Sequence, residues 1–131
     1  MTYLQFRHNV HSANGEDGII KKLFSDLDIT NGIVCEFGAH DGFHDSNTAA
    51  LWEQNYQAIL IESDENRFSQ LQKNTSEHDV ECIHTGVQKE REGNIKNTID
   101  DILERSKFNI TPDNFSLMSI DIDSYDYYVF K

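Results

Sequence analysis

The sequence has few prolines, cysteines and basic residues. Of its 131 residues one is proline, two are cysteine and 11 are lysine or arginine. The single proline, Pro112, leaves no proline-rich linker between domains, and a chain of this length has room for one core. Cys35 and Cys82 both lie in apolar runs, which excludes a disulfide framework as the basis of the fold. We therefore expect one domain over residues 1–131.

Positive charge is scarce, because 23 acidic residues leave a formal net charge of −12. Such a chain repels nucleic-acid phosphates and anionic lipid, and its lysines and arginines form no basic patch that would offset this. No apolar run approaches the length that spans a bilayer, and residues 1–8 lack the apolar segment of a secretion signal. We expect no nucleic-acid or membrane partner and a cytoplasmic location.

Short apolar runs alternate with helical patterns along the whole chain. The runs typical of buried strands are 33–38, 57–62, 80–85 and 115–123. Apolar residues at helical spacing precede the first run, at Ile19, Ile20, Leu23, Phe24 and Leu27, and three N-cap residues open later helices, at Ser46, Asp64 and Thr98. This alternation predicts an α/β fold, with a Rossmann-like parallel sheet and helices on both faces.

Small and acidic residues gather where the predicted strands end. In an open parallel sheet the ligand binds outside the carboxyl ends of the strands. Gly38 and Gly42 would let a ligand lie against the backbone, because glycine has no Cβ. Glu62, about 20 residues beyond Gly42, is placed to accept hydrogen bonds from ribose hydroxyls. A nucleoside ligand is therefore expected.

The charge of the first loop favours one nucleoside over another. The dinucleotide fingerprint requires three glycines, but His40 and Phe43 occupy the second and third positions counted from Gly38. Asp41 and Asp45 would also repel a pyrophosphate. S-adenosylmethionine has no phosphate and carries a sulfonium and an ammonium group, and an acidic loop favours both of these positive charges. A nicotinamide-dependent dehydrogenase remains a weaker alternative.

Several motifs together resemble a known family. Residues 36–42, Glu-Phe-Gly-Ala-His-Asp-Gly, resemble methyltransferase motif I with His40 in place of the middle glycine. With residues 14–18, 46–48, 61–62 and 119–123 they resemble the FkbM-type class I S-adenosylmethionine-dependent methyltransferase family over roughly residues 12–128. The resemblance implies O-methylation of a hydroxyl on a glycan or other small molecule. It also implies strand order 3-2-1-4, with the C-terminal strands of the usual fold absent.

The family resemblance also implies roles for individual residues. Glu62 would hold the ribose, Gly38 and Ala39 would approach the amino-acid and ribose portion of the cofactor together with Gly42, and Glu36 would lie near its ammonium group. Asp121 would lie beside the transferable methyl. The chain departs from the family at Ser124, where relatives commonly have glycine, and no strand follows Lys131, so the acceptor-binding part is expected to be missing.

Candidate catalytic and metal-binding residues lie in the same region. Methyl transfer depends mainly on orientation, and His40 or Asp121 could take the proton of an acceptor hydroxyl. His40 is equally suited to a hydrogen bond within the loop. Asp121 and Asp123 point to the same face of a strand and could bind Mg²⁺, or Asp123 or Ser124 could cap a following helix.

A second function class remains open, a non-catalytic domain that keeps the Rossmann-like core for binding or assembly. The order 3-2-1-4 leaves the fourth strand at an edge of the sheet. Its apolar residues are Leu117, Met118, Ile120 and Ile122. Exposed apolar edges tend to pair, so we expect a homodimer or a missing C-terminal partner.

Overall fold

Four parallel strands form the single sheet of the computed structural model, which describes residues 2–86 and 98–121. The strands are β1 (Gly32–Phe37), β2 (Tyr56–Glu62), β3 (Val80–His84) and β4 (Phe115–Ile120). The helices are α1 (Glu16–Asp26), α2 (Ala49–Trp52), α3 (Glu65–Asn74) and α4 (Ile99–Glu104), and a 3₁₀ turn (Tyr3–Phe6) precedes them. The strand order is β3-β2-β1-β4, with every pair parallel. The predicted α/β parallel sheet is confirmed.

The two central strands are apolar on both sides because both faces of the sheet are covered. Val34 and Leu60 face one helical layer, whereas Cys35 and Ile59 face the other, and all four are fully buried. The period of two along a strand assigns neighbouring residues to opposite cores. This explains why the apolar runs are almost continuous instead of alternating.

Helices pack on both faces of the sheet, as predicted. The first core receives Phe24 from α1, Trp52 from α2 and Leu71 from α3. The second core receives Ile102 from α4. Among the helices of the described residues, α1, α2 and α3 therefore cover one face and α4 covers the other.

The predicted helix caps are largely confirmed. Asp64 accepts the N–H of Arg67 at 2.9 Å, and Thr98 forms a reciprocal capping box with Asp101. Ser46 lies two residues before the N-cap position of α2, which Thr48 occupies, yet its Oγ accepts the N–H groups of Thr48 and Ala49. Ser46 therefore helps to start the helix from outside it.

The apolar residues of α1 do not share one environment. Phe24 is buried, whereas Leu23 is 36% exposed and Leu27, directly after the helix, is 60% exposed. The helix packs on the core through Ile20 and Phe24, so one edge of its apolar stripe faces outward. No helix within residues 2–86 and 98–121 has the length and apolar character needed to cross a membrane.

Candidate functional site

The loop after β1 is tied to the end of β2. The backbone N–H groups of Gly38 and Ala39 both donate to the carbonyl of Ile61, each at 3.0 Å. On the other side of β2, the N–H of Thr85 donates to the carbonyl of Glu62 at 3.2 Å. The carboxyl ends of three neighbouring strands therefore form one continuous edge, the position at which open parallel sheets bind ligands.

Glu62 lies at this edge and contacts the first loop. Its side chain is 5% exposed, and its Oε2 accepts the N–H of His40 at 3.3 Å. This is the one hydrogen bond of the carboxylate within the described part of the chain. A largely buried carboxylate with a single long hydrogen bond retains acceptor capacity. The structure thus brings together Glu62 and the glycine-bearing loop, as the sequence predicts.

His40 has a backbone conformation that glycine adopts more readily than other residues. Its φ is +56°, in the left-handed region that non-glycine residues seldom adopt. Its ring lies 4.8 Å from that of His44, and its Nδ1 is 3.7 Å from Asp41 Oδ1. Nδ1 is buried without a hydrogen-bond partner among the described residues. His40 is therefore at the edge of the candidate site with one nitrogen unsatisfied.

Asp41 supplies negative charge next to this histidine. Burial alone would raise the pKa of its carboxyl, but the backbone N–H groups of His44 and Phe43 and the imidazoles of His40 and His44 hold that pKa below its ordinary value. The N–H groups donate to Oδ1 at 2.8 and 3.0 Å. Asp41 consequently stays ionised at neutral pH and gives the loop a negative charge.

The two glycines of the loop have different surroundings. Gly38, with φ of +76°, is exposed at the sheet edge. Gly42, with φ of +95°, is buried, and a Cβ there would lie 3.0 Å from Leu71 Cδ1 and 3.7 Å from Trp52 Cζ2. Gly42 is thus explained by packing against α3, whereas Gly38 faces the site. Contact of Gly42 with a cofactor stays a prediction.

Glu36 holds the start of the next helix to the sheet. Its side chain is 4% exposed, and its Oε2 accepts the hydroxyls of Ser46 and Thr48 at 2.8 and 2.6 Å. Its Oε1 accepts the N–H of Asn47 at 3.0 Å. Burial raises the pKa of Glu36 and outweighs these hydrogen bonds, and the charge of Asp121 raises it further. The expected contact of Glu36 with an ammonium group would have to share a carboxylate already used by this loop.

Asn47 is a site residue to which sequence reasoning assigned no role. Its Nδ2 donates to Ser119 Oγ on β4 at 3.1 Å, and its Oδ1 is buried with no partner in the described ranges. Asp121, directly after β4, is exposed, and its N–H donates to the carbonyl of Phe37 at 3.2 Å. Asn47 and Asp121 therefore both lie where β1 meets β4. The only sequence signal for Asn47 was its place in the Ser-Asn-Thr motif.

The metal hypothesis depends on residues that the structure only partly describes. Within residues 2–86 and 98–121 no three histidine, cysteine, aspartate or glutamate side chains come together as a metal site. Asp123, the predicted partner of Asp121, lies outside those ranges, as do Ile122 and Ser124. The Mg²⁺ site therefore stays a prediction.

The N-terminal loop, residues 7–15, contacts the loop after β1. Asp17 Oδ2 accepts the backbone N–H groups of Val10, His11 and Ser12 at 2.9, 2.7 and 2.8 Å. Burial alone would raise the pKa of Asp17, but these bonds outweigh it and lower that pKa. The ring of His11 lies 5.0 Å from that of Phe43 in the first loop. Asp17 thereby holds the N-terminal loop in the conformation in which His11 contacts Phe43.

A groove with a volume of about 570 Å³ runs along α1. Its lining includes Asp17 at the start of α1, Phe24 near its end, Leu51 from α2 and Tyr56 at the start of β2. The groove therefore lies between α1 and α2, whereas the topology of open parallel sheets favours the carboxyl edge as the ligand site.

The residues at the carboxyl edge fit a cationic adenosine derivative. Glu62 has unused acceptor capacity for ribose hydroxyls, Gly38 leaves the backbone open, and ionised Asp41 favours positive charge. The unsatisfied His40 Nδ1 and Asn47 Oδ1 lie in the same loop region. Compared with known proteins, the chain matches no family model and no curated protein.

Proposed function

We propose that this chain binds S-adenosylmethionine and acts as an O-methyltransferase on a hydroxyl of a glycan or other small molecule. The observation that carries the proposal is the contact between Glu62 and the loop after β1. It places a buried carboxylate that accepts one hydrogen bond from the described residues beside an acidic loop that contains glycine. The parallel sheet supplies the edge at which such a ligand binds.

The residues of the chain have distinct roles in this proposal. Glu62 accepts hydrogen bonds from the ribose, and Gly38 and Ala39 bring backbone close to the ligand. When bound, S-adenosylmethionine supplies a methyl group that its sulfonium already activates. Orientation of the acceptor hydroxyl then lowers most of the barrier. His40 or Asp121 takes the proton of that hydroxyl.

Calorimetric titration with S-adenosylhomocysteine tests the binding step. We expect saturable binding with one site per chain, and no binding of NAD⁺, because Asp41 and Asp45 repel its pyrophosphate. A folded protein that does not bind S-adenosylhomocysteine at millimolar concentration contradicts the proposal. Preference for NAD⁺ would instead support the dehydrogenase.

A methyl-release assay with glycan and small-molecule hydroxyl acceptors tests the catalytic step. Turnover that disappears with chelator and returns with Mg²⁺ would support the metal role of Asp121 and Asp123. Tight binding of S-adenosylhomocysteine without transfer to any acceptor would favour the non-catalytic binding domain over the enzyme.

A further inference from the structure

A buried amide oxygen lacks a partner at the junction of β1 and β4. Asn47 uses its Nδ2 to donate to Ser119 Oγ at 3.1 Å, and its Oδ1 has no hydrogen bond within residues 2–86 and 98–121. Buried acceptors are nearly always satisfied by protein, water or ligand. The Oδ1 of Asn47 is therefore suited to receive an N–H or O–H donor that belongs to a ligand.

The neighbouring acid holds this amide in position. Glu36 accepts the N–H of Asn47, and the hydroxyls of the residues on either side of it. Three hydrogen bonds from three consecutive residues fix the path of the loop, and the bond to Ser119 then fixes the direction of the Asn47 side chain. The amide is a preorganised acceptor, since its orientation does not depend on a ligand.

The position of Asn47 in the sheet indicates which part of a ligand it meets. Glu62 ends β2, on one side of β1, whereas Ser119 belongs to β4, on the other side, opposite Glu36 in the strand register. Strands two places apart are separated by about 10 Å. A nucleoside whose ribose lies at Glu62 and whose substituent extends across β1 therefore reaches Asn47 with the far end of that substituent.

We infer that Asn47 Oδ1 accepts a hydrogen bond from the α-ammonium group of the cofactor, and that Glu36 positions Asn47 instead of binding that group itself. The inference rests on the proposed function. It assigns recognition of the amino-acid end to a neutral amide held by a buried acid.

The test compares two ligands that differ by one group. S-adenosylhomocysteine carries the α-ammonium, and its deaminated analogue has hydrogen in that place. We expect the wild-type protein to prefer S-adenosylhomocysteine in calorimetric titrations. Asn47→Leu should weaken binding of S-adenosylhomocysteine by about 10- to 100-fold, because a hydrogen bond to a charged group is lost. Binding of the deaminated analogue should stay the same.

A second variant at Asn47 and a control at Asn55 distinguish loss of the hydrogen bond from disruption of the loop. Asn47→Asp keeps an acceptor and adds charge, so it should preserve or increase the preference for S-adenosylhomocysteine. Asn55→Leu and Asn55→Asp, at an exposed residue on the opposite edge of the sheet, should leave both affinities unchanged. Thermal melting of each variant shows whether it is folded.

Each outcome bears on one of the two proposals. Equal weakening of both ligands by Asn47→Leu, or no weakening, overturns the role of Asn47, as does a wild-type protein that binds both ligands equally. If Asn47→Leu does not fold, a folded Asn47→Asp protein that has lost the preference overturns it. A wild-type protein that binds neither ligand overturns the proposed function, and this inference with it.

Discussion

The carboxylate of Glu62 accepts a hydrogen bond from the backbone N–H of His40, 3.3 Å away and 22 residues earlier in the chain. Through this contact the end of β2 and the loop after β1 become one surface. The same hydrogen bond ties the backbone of His40, which has a φ of +56°, to the end of β2.

Replacement of Glu62 by glutamine should weaken ligand binding while the protein stays folded. The glutamine carbonyl can still accept the N–H of His40, but the charge that strengthens hydrogen bonds from ribose hydroxyls is lost. We expect calorimetry to show at least about 10-fold weaker binding of S-adenosylhomocysteine. Glu77→Gln, at an exposed residue before β3, is the matched control. Unchanged affinity in Glu62→Gln would argue against a ribose site.

The left-handed backbone of His40 leads to a stability prediction. His40→Gly removes steric strain but makes the unfolded chain more flexible, so the free energy of unfolding should change by less than about 1 kcal/mol. His40→Val should lower it by about 2 kcal/mol or more, because a β-branched residue is strongly disfavoured at this φ of +56°. Urea denaturation measures both changes. Equal losses in the free energy of unfolding in the two variants would show that the imidazole of His40, and not its backbone conformation, determines stability at this position.

Gly42 should be intolerant of even a methyl group. Gly42→Ala places a Cβ 3.0 Å from Leu71 Cδ1 at a φ of +95°, so we expect a loss of about 2 kcal/mol in the free energy of unfolding. Gly86→Ala is the matched control, because a Cβ at Gly86 would meet no atom within 4 Å. If both variants are equally stable in urea, packing does not explain the glycine.

Asp17 should make the stability of the N-terminal loop depend on pH. Because its folded-state pKa is lowered, its contribution is present above its unfolded-state pKa of about 4 and is lost as the pH falls through the lower, folded-state value. Asp17→Asn should therefore cost about 2 kcal/mol at neutral pH, and the difference from wild type should shrink in acid. Urea denaturation at several pH values measures this, with Asp113→Asn as the exposed control. A difference that does not vary with pH would contradict the role of the charge.

The outer edge of β4 should be a pairing surface. On one side β4 pairs with β1, and on its other side no strand is present within residues 2–86 and 98–121. Unpaired backbone groups along an apolar edge favour association. We expect light scattering to give a mass above the 15.1 kDa of one chain. A stable monomeric mass at high concentration would contradict this expectation.

Local sequence patterns were sufficient for the elements and for part of the site. Short stretches of chain determine the apolar runs of the strands, the caps Asp64 and Thr98, and the acid at the end of β2, because strand burial and capping are visible in near neighbours. The alternation of helices and strands predicts that the strands are parallel, whereas the order 3-2-1-4 is an expectation from the family resemblance.

Only the tertiary structure decided how the loop residues are used. Asn47 and Ser119 are 72 residues apart, and the amino-acid pattern around either of them contains no sign of the other. The sequence predicts that Gly42 faces a ligand as Gly38 does, whereas the structure packs Gly42 against α3. Glu36 is expected from the family resemblance to lie near an ammonium group, whereas the structure encloses its carboxylate with the Ser46–Thr48 segment. Hydrogen bonds and packing contacts form between surfaces that meet in space, so the partner of a polar side chain is settled only when the whole sheet is assembled.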